Sequence, residues 1–226
     1  RIISKYLPRK GSFFREFPIL VIVALAVSLV IKTFLVQFFY IPSGSMQNTL
    51  QVNDRVAVNK IPFLAKSIKR GDVVVFRDPA NWLPIPVEEV SGNKIISKAK
   101  EALVFSGVLP NPAKQYLVKR VIGVAGDTII CCDKDGGLTI NGKKTYEPYI
   151  FAGNKPSELK FNVSVPEGKI WVMGDHRGAS ADSRYHQDDV NNGMVPVSKV
   201  TGRVFGILWP FKNFGLTPSQ DPIATK

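Results

Sequence analysis

Tyr116-Leu117-Val118-Lys119-Arg120-Val121-Ile122-Gly123-Val124-Ala125-Gly126-Asp127 is rich in β-branched residues and closes on a Gly-Asp turn, which predicts a strand over 116–124. Side chains alternate across a strand, so Leu117, Lys119 and Val121 share one face while Val118, Arg120 and Ile122 share the other. Lys119 then stands between two aliphatic neighbours. Burial disfavours an ammonium and lowers a lysine pKa by as much as several units. A neutral amine near working pH is what a general base requires. A lysine in a strand also protects a sheet edge from aggregation, and position alone leaves that reading open.

Working outward, the same texture recurs. Residues 54–60 alternate with period two, and 70–76 give a turn followed by a β-branched run. Residues 168–173 and 202–209 read as two more strands, and Asp133-Lys134-Asp135-Gly136-Gly137 and Asn141-Gly142 mark tight hairpins. The expected fold is mostly β: one domain of two twisted antiparallel sheets over 37–211, with a small second β-region at 128–170. A proline-bounded insertion at 83–115 contains an amphipathic helix at 94–108, and a flexible tail follows from 212 to 226.

Before these strands lies an apolar run, 17–41, broken by Lys32 and a few neutral polar residues. A helix needs about 20 residues to cross a hydrocarbon core of about 30 Å, which predicts a transmembrane anchor at 16–36. No small-x-small cleavage site follows the run, so it reads as uncleaved. Arg1, Lys5, Arg9, Lys10 and Arg15 face only Glu16 in the preceding segment, and this 1–15 tail is expected to stay cytoplasmic with the domain outside. The net charge of +12 is spread throughout: six Lys and Arg against one acid up to Ile41, and twenty-four against seventeen beyond. There is no nucleic-acid stripe of basic and aromatic residues; anionic lipid is the expected counterpart of the charge. The two cysteines, Cys131 and Cys132, are too few for a four-ligand zinc site or a disulfide framework. A vicinal bond is open to them outside the cytoplasm, but they are read as a local strand feature without chemistry.

Three groups of residues offer chemistry. Ser45, in Ile41-Pro42-Ser43-Gly44-Ser45-Met46, follows the apolar run directly, although such serine triplets more often cap helices or form turns. A serine becomes a nucleophile when a neighbour takes its proton, and Lys119 is the candidate. The third group, Gly174-Asp175-His176-Arg177-Gly178-Ala179-Ser180-Ala181-Asp182-Ser183-Arg184-Tyr185-His186, holds both histidines of the chain. It admits a Ser-His-Asp triad through His176 or His186, a metal site with Asp182, Asp188 and Asp189, or a solvated polar loop.

Taken in order, the anchor, 41–50, 70–76, 119–123 and 174–185 resemble the bacterial type I signal peptidases, membrane-anchored Ser/Lys endopeptidases. The resemblance implies Ser45 as nucleophile, Lys119 as general base, and Ser43 with the Ser45 N–H as oxyanion hole. It implies Ser180 as the hydroxyl that orients the lysine, and Arg120, Asp175, Asp182 and Arg184 as buttressing charges. Ile41, Pro42, Met46, Leu50 and Val118 would line shallow apolar pockets for small side chains at −1 and −3. No cofactor and no metal is expected. The implied partners are signal peptides of secreted preproteins, the bilayer of the bacterial plasma membrane and, nearby, the secretion translocon. Asn48, Ala125 and His176 depart from residues frequent in the family and bear on substrate preference. The alternatives are a self-cleaving Ser/Lys repressor-type protease and a catalytically inactive tethered binding module.

Overall fold

The computed structural model describes residues 13–34, 36–60, 68–84, 115–217 and 219–223; within the first helix, side chains are described over 16–27. The expected helix at 94–108 and most of its insertion lie outside the described residues. Helix α1 (Phe13–Phe34) leads into strand β1 (Val36–Tyr40), followed by β2 (Arg55–Asn59), β3 (Val73–Arg77), β4 (Tyr116–Gly123) and β5 (Thr128–Cys131). Then come β6 (Leu138–Ile140), β7 (Lys143–Lys144), β8 (Phe161–Ser164), β9 (Lys169–Met173), β10 (Val195–Pro196), β11 (Val200–Trp209) and β12 (Gly215–Leu216).

The strands form two antiparallel sheets. The larger runs β1-β2-β11-β3-β4-β9-β10, with β12 paired to β11; the smaller runs β7-β6-β5-β8. Asn141 and Gly142 join β6 to β7 with φ of 53° and 75°, the left-handed pair that a two-residue hairpin demands. Strand β3 is central and buried on both faces from Val73 to Phe76, and those four residues are all apolar. Val73 and Val75 pack with Ile41, Met46, Leu50, Val56, Val58 and Val204. Val74 and Phe76 pack on the other side with Trp82, Leu117, Val121, Ile170, Val172 and Val195. Each such side chain contributes roughly 1.5–3 kcal/mol by leaving water. A third cluster, with Ile129, Leu138, Ile140, Phe161, Trp171 and Met173, fastens the small sheet to β9. Cys131 and Cys132 are joined by a vicinal disulfide.

Two segments differ from their sequence reading. The apolar run of 17–41 divides, with helix to Phe34 and edge strand β1 after it. A continuous apolar run carries no period by which to tell helix from strand. The segment from Lys212, expected to be flexible, is partly held: β12 pairs with Gly206 and Ile207, Thr217 N–H donates to Phe205 O at 3.1 Å, and Gln220 N–H donates to Gly71 O at 3.4 Å. These are backbone contacts, which leave no side-chain pattern. Among the residues described, no helix is long and apolar enough to cross a membrane.

Candidate active site

Strand β1 delivers the chain to a tight turn. Ile41 N–H donates to Asp54 O and Asn53 N–H to Ile41 O, both at 2.9 Å, and these fix the entry. Gln47 N–H donates to Gly44 O at 3.0 Å and Leu50 N–H to Met46 O at 2.8 Å, which winds 44–50 into consecutive turns. Met46 and Leu50 are 1% and 0% exposed and pin the turn to the core. Ser45 is therefore held at 8% exposure on a rigid support.

Lys119 Nζ lies 2.6 Å from Ser45 Oγ. The lysine is 4% exposed, and burial lowers its pKa from 10.5 to about 8. The charge of Asp182 opposes that fall, Arg184 adds to it, and Asp175 again opposes it. Ser43, at the exposed rim, has its Oγ 3.5 Å from Ser45 Oγ. An amine that loses its proton near neutrality, touching a hydroxyl, can draw the hydroxyl proton and leave a nucleophilic oxygen.

Buried ion pairs surround this contact. Arg120 grips Asp175 with two bonds of 2.8 and 2.7 Å, and also donates to Gly71 O at 2.7 Å and Thr49 Oγ1 at 2.9 Å. Thr49 Oγ1 in turn donates to Asp175 at 2.5 Å, which ties the 44–50 turn to the 174–185 segment. Arg184 holds Asp182 through Nε at 2.8 Å and its second nitrogen at 2.9 Å. Burial pushes the Asp182 carboxyl up, but Arg184, the Gly174 N–H and Lys119 outweigh it and hold the group below its ordinary value. Ser180 Oγ donates to Asp182 Oδ2 at 2.7 Å, and Gly174 lies between Ser180 and the Ser45 carbonyl.

Of the five pocket residues predicted, Ile41, Met46 and Leu50 are buried beneath the turn, Val118 is half-buried and Pro42 is exposed. Neither imidazole is bonded to the Ser45 hydroxyl. His176 Nδ1 meets Gln47 Oε1 at 2.9 Å, and its ring stacks on Phe151. His186 Nδ1 meets Asp182 O at 2.8 Å, and its ring stacks on Trp82. Trp82 Nε1 donates to Asp189 at 2.7 Å. Among the described residues, no group of three or more His, Cys, Asp or Glu is placed to hold a metal ion.

Several structural partners of the site escape the sequence reading. Glu147 pairs with Arg177 at 2.5 Å, both almost fully buried, and Tyr149 lies under the Arg120 guanidinium, 4.0 Å from ring centroid to carbon. Glu147 and Tyr149 sit in a loop with no strand period. Thr49, three residues beyond Met46, offered a hydroxyl but no spacing that identifies its role.

Two antiparallel sheets carrying a buried serine–lysine contact define a class of protein in which an amine, rather than an imidazole, is bonded to the serine. Comparison narrows the class. The sequence profile of the family described as signal peptidase, peptidase S26, matches residues 14–209, and the chain belongs to that family. A probable signal peptidase I of Mycobacterium leprae (strain TN) is 39% identical over 234 residues, covering 92% of this chain and 80% of that protein. A signal peptidase I of Mycobacterium tuberculosis (strain CDC 1551 / Oshkosh) is 38% identical, covering 95% and 79%. A signal peptidase I of Bacillus amyloliquefaciens is 30% identical over 223 residues, covering 95% of each.

Proposed function

We propose that this protein is a serine endopeptidase that removes signal peptides from secreted preproteins at the outer face of a bacterial plasma membrane. The contact of 2.6 Å between Lys119 Nζ and Ser45 Oγ carries the reading. Ser45 Oγ attacks the carbonyl of the residue at −1 while neutral Lys119 takes its proton. The Ser45 N–H and the Ser43 hydroxyl stabilise the oxyanion, each donor contributing about 3–4 kcal/mol. The C–N bond breaks, and the Lys119 ammonium protonates the departing amine. Lys119 then takes a proton from water, which attacks the Ser45 ester and returns the hydroxyl. Ser180, bonded to Asp182, orients the lysine amine. Strand β1 lies at the edge of its sheet and runs straight into the nucleophile turn, which suits an extended peptide paired along it.

A bilayer location accords with the same features. Helix α1 has 22 residues, roughly 33 Å long. Its described side chains are exposed on all sides, among them Phe17, Ile19, Leu20, Ile22 and Leu25 at 54–65%. At the far end of the large sheet Tyr40, Trp209, Phe211, Phe214 and Leu216 are exposed as well. Tyr40 and Trp209 both pair with Arg55, so they flank one row of the sheet. This apolar rim beside β1 would rest at the lipid surface with the basic 1–15 segment in the cytoplasm, near the translocon that delivers the substrate.

The test is cleavage of a preprotein in detergent or vesicles. Ser45→Ala and Lys119→Ala are expected to abolish it, while a His176/His186 double alanine retains measurable cleavage. Cleavage by the serine and lysine variants, with loss in the histidine variant alone, would replace the dyad by a triad.

A further inference from the structure

Consecutive residues leave the nucleophile turn in opposite directions. Met46 enters the apolar cluster with Ile41, against which Val118 packs, so that side of Ser45 faces the acyl half of a bound peptide. Gln47 turns the other way, half-buried, toward His176. Its side chain folds back over Gly44, where an added Cβ would stand 2.9 Å from Gln47 Oε1. The space between Ser43 and Ser45 is thus kept open by glycine and occupied by a carboxamide.

That carboxamide is fixed in place. Its Oε1 lies 2.9 Å from His176 Nδ1, so the histidine must carry its proton on Nδ1 for the bond to form. The His176 ring stacks on Phe151 with centroids 4.2 Å apart and planes 19° from parallel. His176 N–H donates to the Ser45 carbonyl at 3.1 Å, and Phe151 N–H donates to Asp175 O at 2.9 Å. With Oε1 occupied as an acceptor, the two donors on Nε2 have no protein partner among the described residues. Gln47 is half-buried on the side of the turn opposite Met46, so on the peptidase reading these donors face the departing chain.

Resting on the proposed peptidase reading, we infer that Gln47 is a substrate-binding residue for the chain just after the cleaved bond. Its amide donates to a backbone carbonyl of the departing segment, and His176 and Phe151 are positioning residues that aim it. This assigns a role to one of the departures from the family's frequent residues, His176, in terms of what the side chain holds.

The experiment compares two substrates with the same acyl half. One continues for several residues beyond the scissile amide; the other is an ester with a simple alcohol as leaving group. For Gln47→Ala the ratio of kcat/KM, peptide over ester, is expected to fall about tenfold, the scale of one lost hydrogen bond. His176→Phe keeps the stacking and removes the donor, and the ratio falls similarly. His176→Asn restores a donor and recovers part of it. An equal fall on both substrates would make Gln47 a support of the turn only, and an unchanged ratio would remove it from binding; either overturns the inference. Failure of the wild type to cleave either substrate would instead strike the peptidase reading.

Discussion

Ser45 Oγ and Lys119 Nζ are 2.6 Å apart across 74 residues of sequence, one on a turn behind an edge strand and the other inside a central one. The contact depends on two strands already held by the core, so its chemistry is a property of the folded sheet. Its protonation sets the working pH. With a pKa of about 8, roughly a tenth of Lys119 is neutral at pH 7 and half at pH 8. kcat/KM is predicted to rise almost tenfold per pH unit below pH 7 and to level off above about 9. A profile flat from pH 6 to 9 would remove Lys119 as the base.

Burial of Lys119 also costs stability. The unfolded lysine titrates at 10.5 and the folded one at about 8, so below pH 8 both are charged and the folded state bears the full penalty. Between pH 8 and 10.5 the unfolded chain binds more protons, so stability rises with pH; above 10.5 the penalty has gone. Lys119→Met is predicted to be inactive yet more stable at pH 7, by up to about 3 kcal/mol. Denaturant titrations at pH 7 and 10 measure it, and a gap that does not narrow with pH would contradict the cause.

The Arg120–Asp175 pair, 1% and 0% exposed, predicts the opposite sign. Arg120→Met leaves a buried carboxylate without its partner and is expected to destabilise by about 3–5 kcal/mol. An Arg120→Met/Asp175→Leu double variant should recover much of that loss, because no charge remains buried there. A double-mutant cycle in denaturant checks both values.

Legibility in the sequence follows periodicity. Strand β4 came from its β-branched run and closing turn, the placing of Lys119 between aliphatic neighbours from alternation along that strand, and the Asn141-Gly142 hairpin from backbone preference. Strand β1 was hidden inside the apolar run, because helix and buried strand share that composition. The pairings at the site were less visible. That Thr49 bridges Arg120 and Asp175 depends on how the 44–50 turn meets β4 and the segment after β9, and that Glu147 meets Arg177 on how the loop after β7 reaches that segment; no local pattern encodes either. His176 could be read as triad base or metal ligand until the structure turned it toward Gln47.

Ser43 Oγ, 3.5 Å from Ser45 Oγ and exposed at the rim, predicts a purely kinetic effect. Ser43→Ala should lower kcat by about 10²–10³ with KM and unfolding midpoint nearly unchanged, since the donor acts only on the charge that develops in the transition state. An equal rise in KM instead would make it a ground-state contact.

Gly174→Ala tests how closely the site is packed. A Cβ there would lie 2.3 Å from Ser180 Oγ and 2.5 Å from the Ser45 carbonyl oxygen, both too short to accommodate. The backbone has no room to yield, since Gly174 N–H is bonded to Asp182 at 2.9 Å and its carbonyl accepts from Arg177 at 3.0 Å. The nucleophile turn or Ser180 must move instead, and a shift of about 1 Å is enough to cost 10²-fold in rate. Loss of stability should be smaller, about 1–3 kcal/mol. Adding Ser180→Gly removes the contacts with the Ser180 side chain but not the clash with Ser45, so folding stability should recover only in part, and activity stays low because the proposed lysine-orienting hydroxyl is gone as well. Wild-type activity and stability in Gly174→Ala alone would show that the site has room for the added methyl and overturn the prediction.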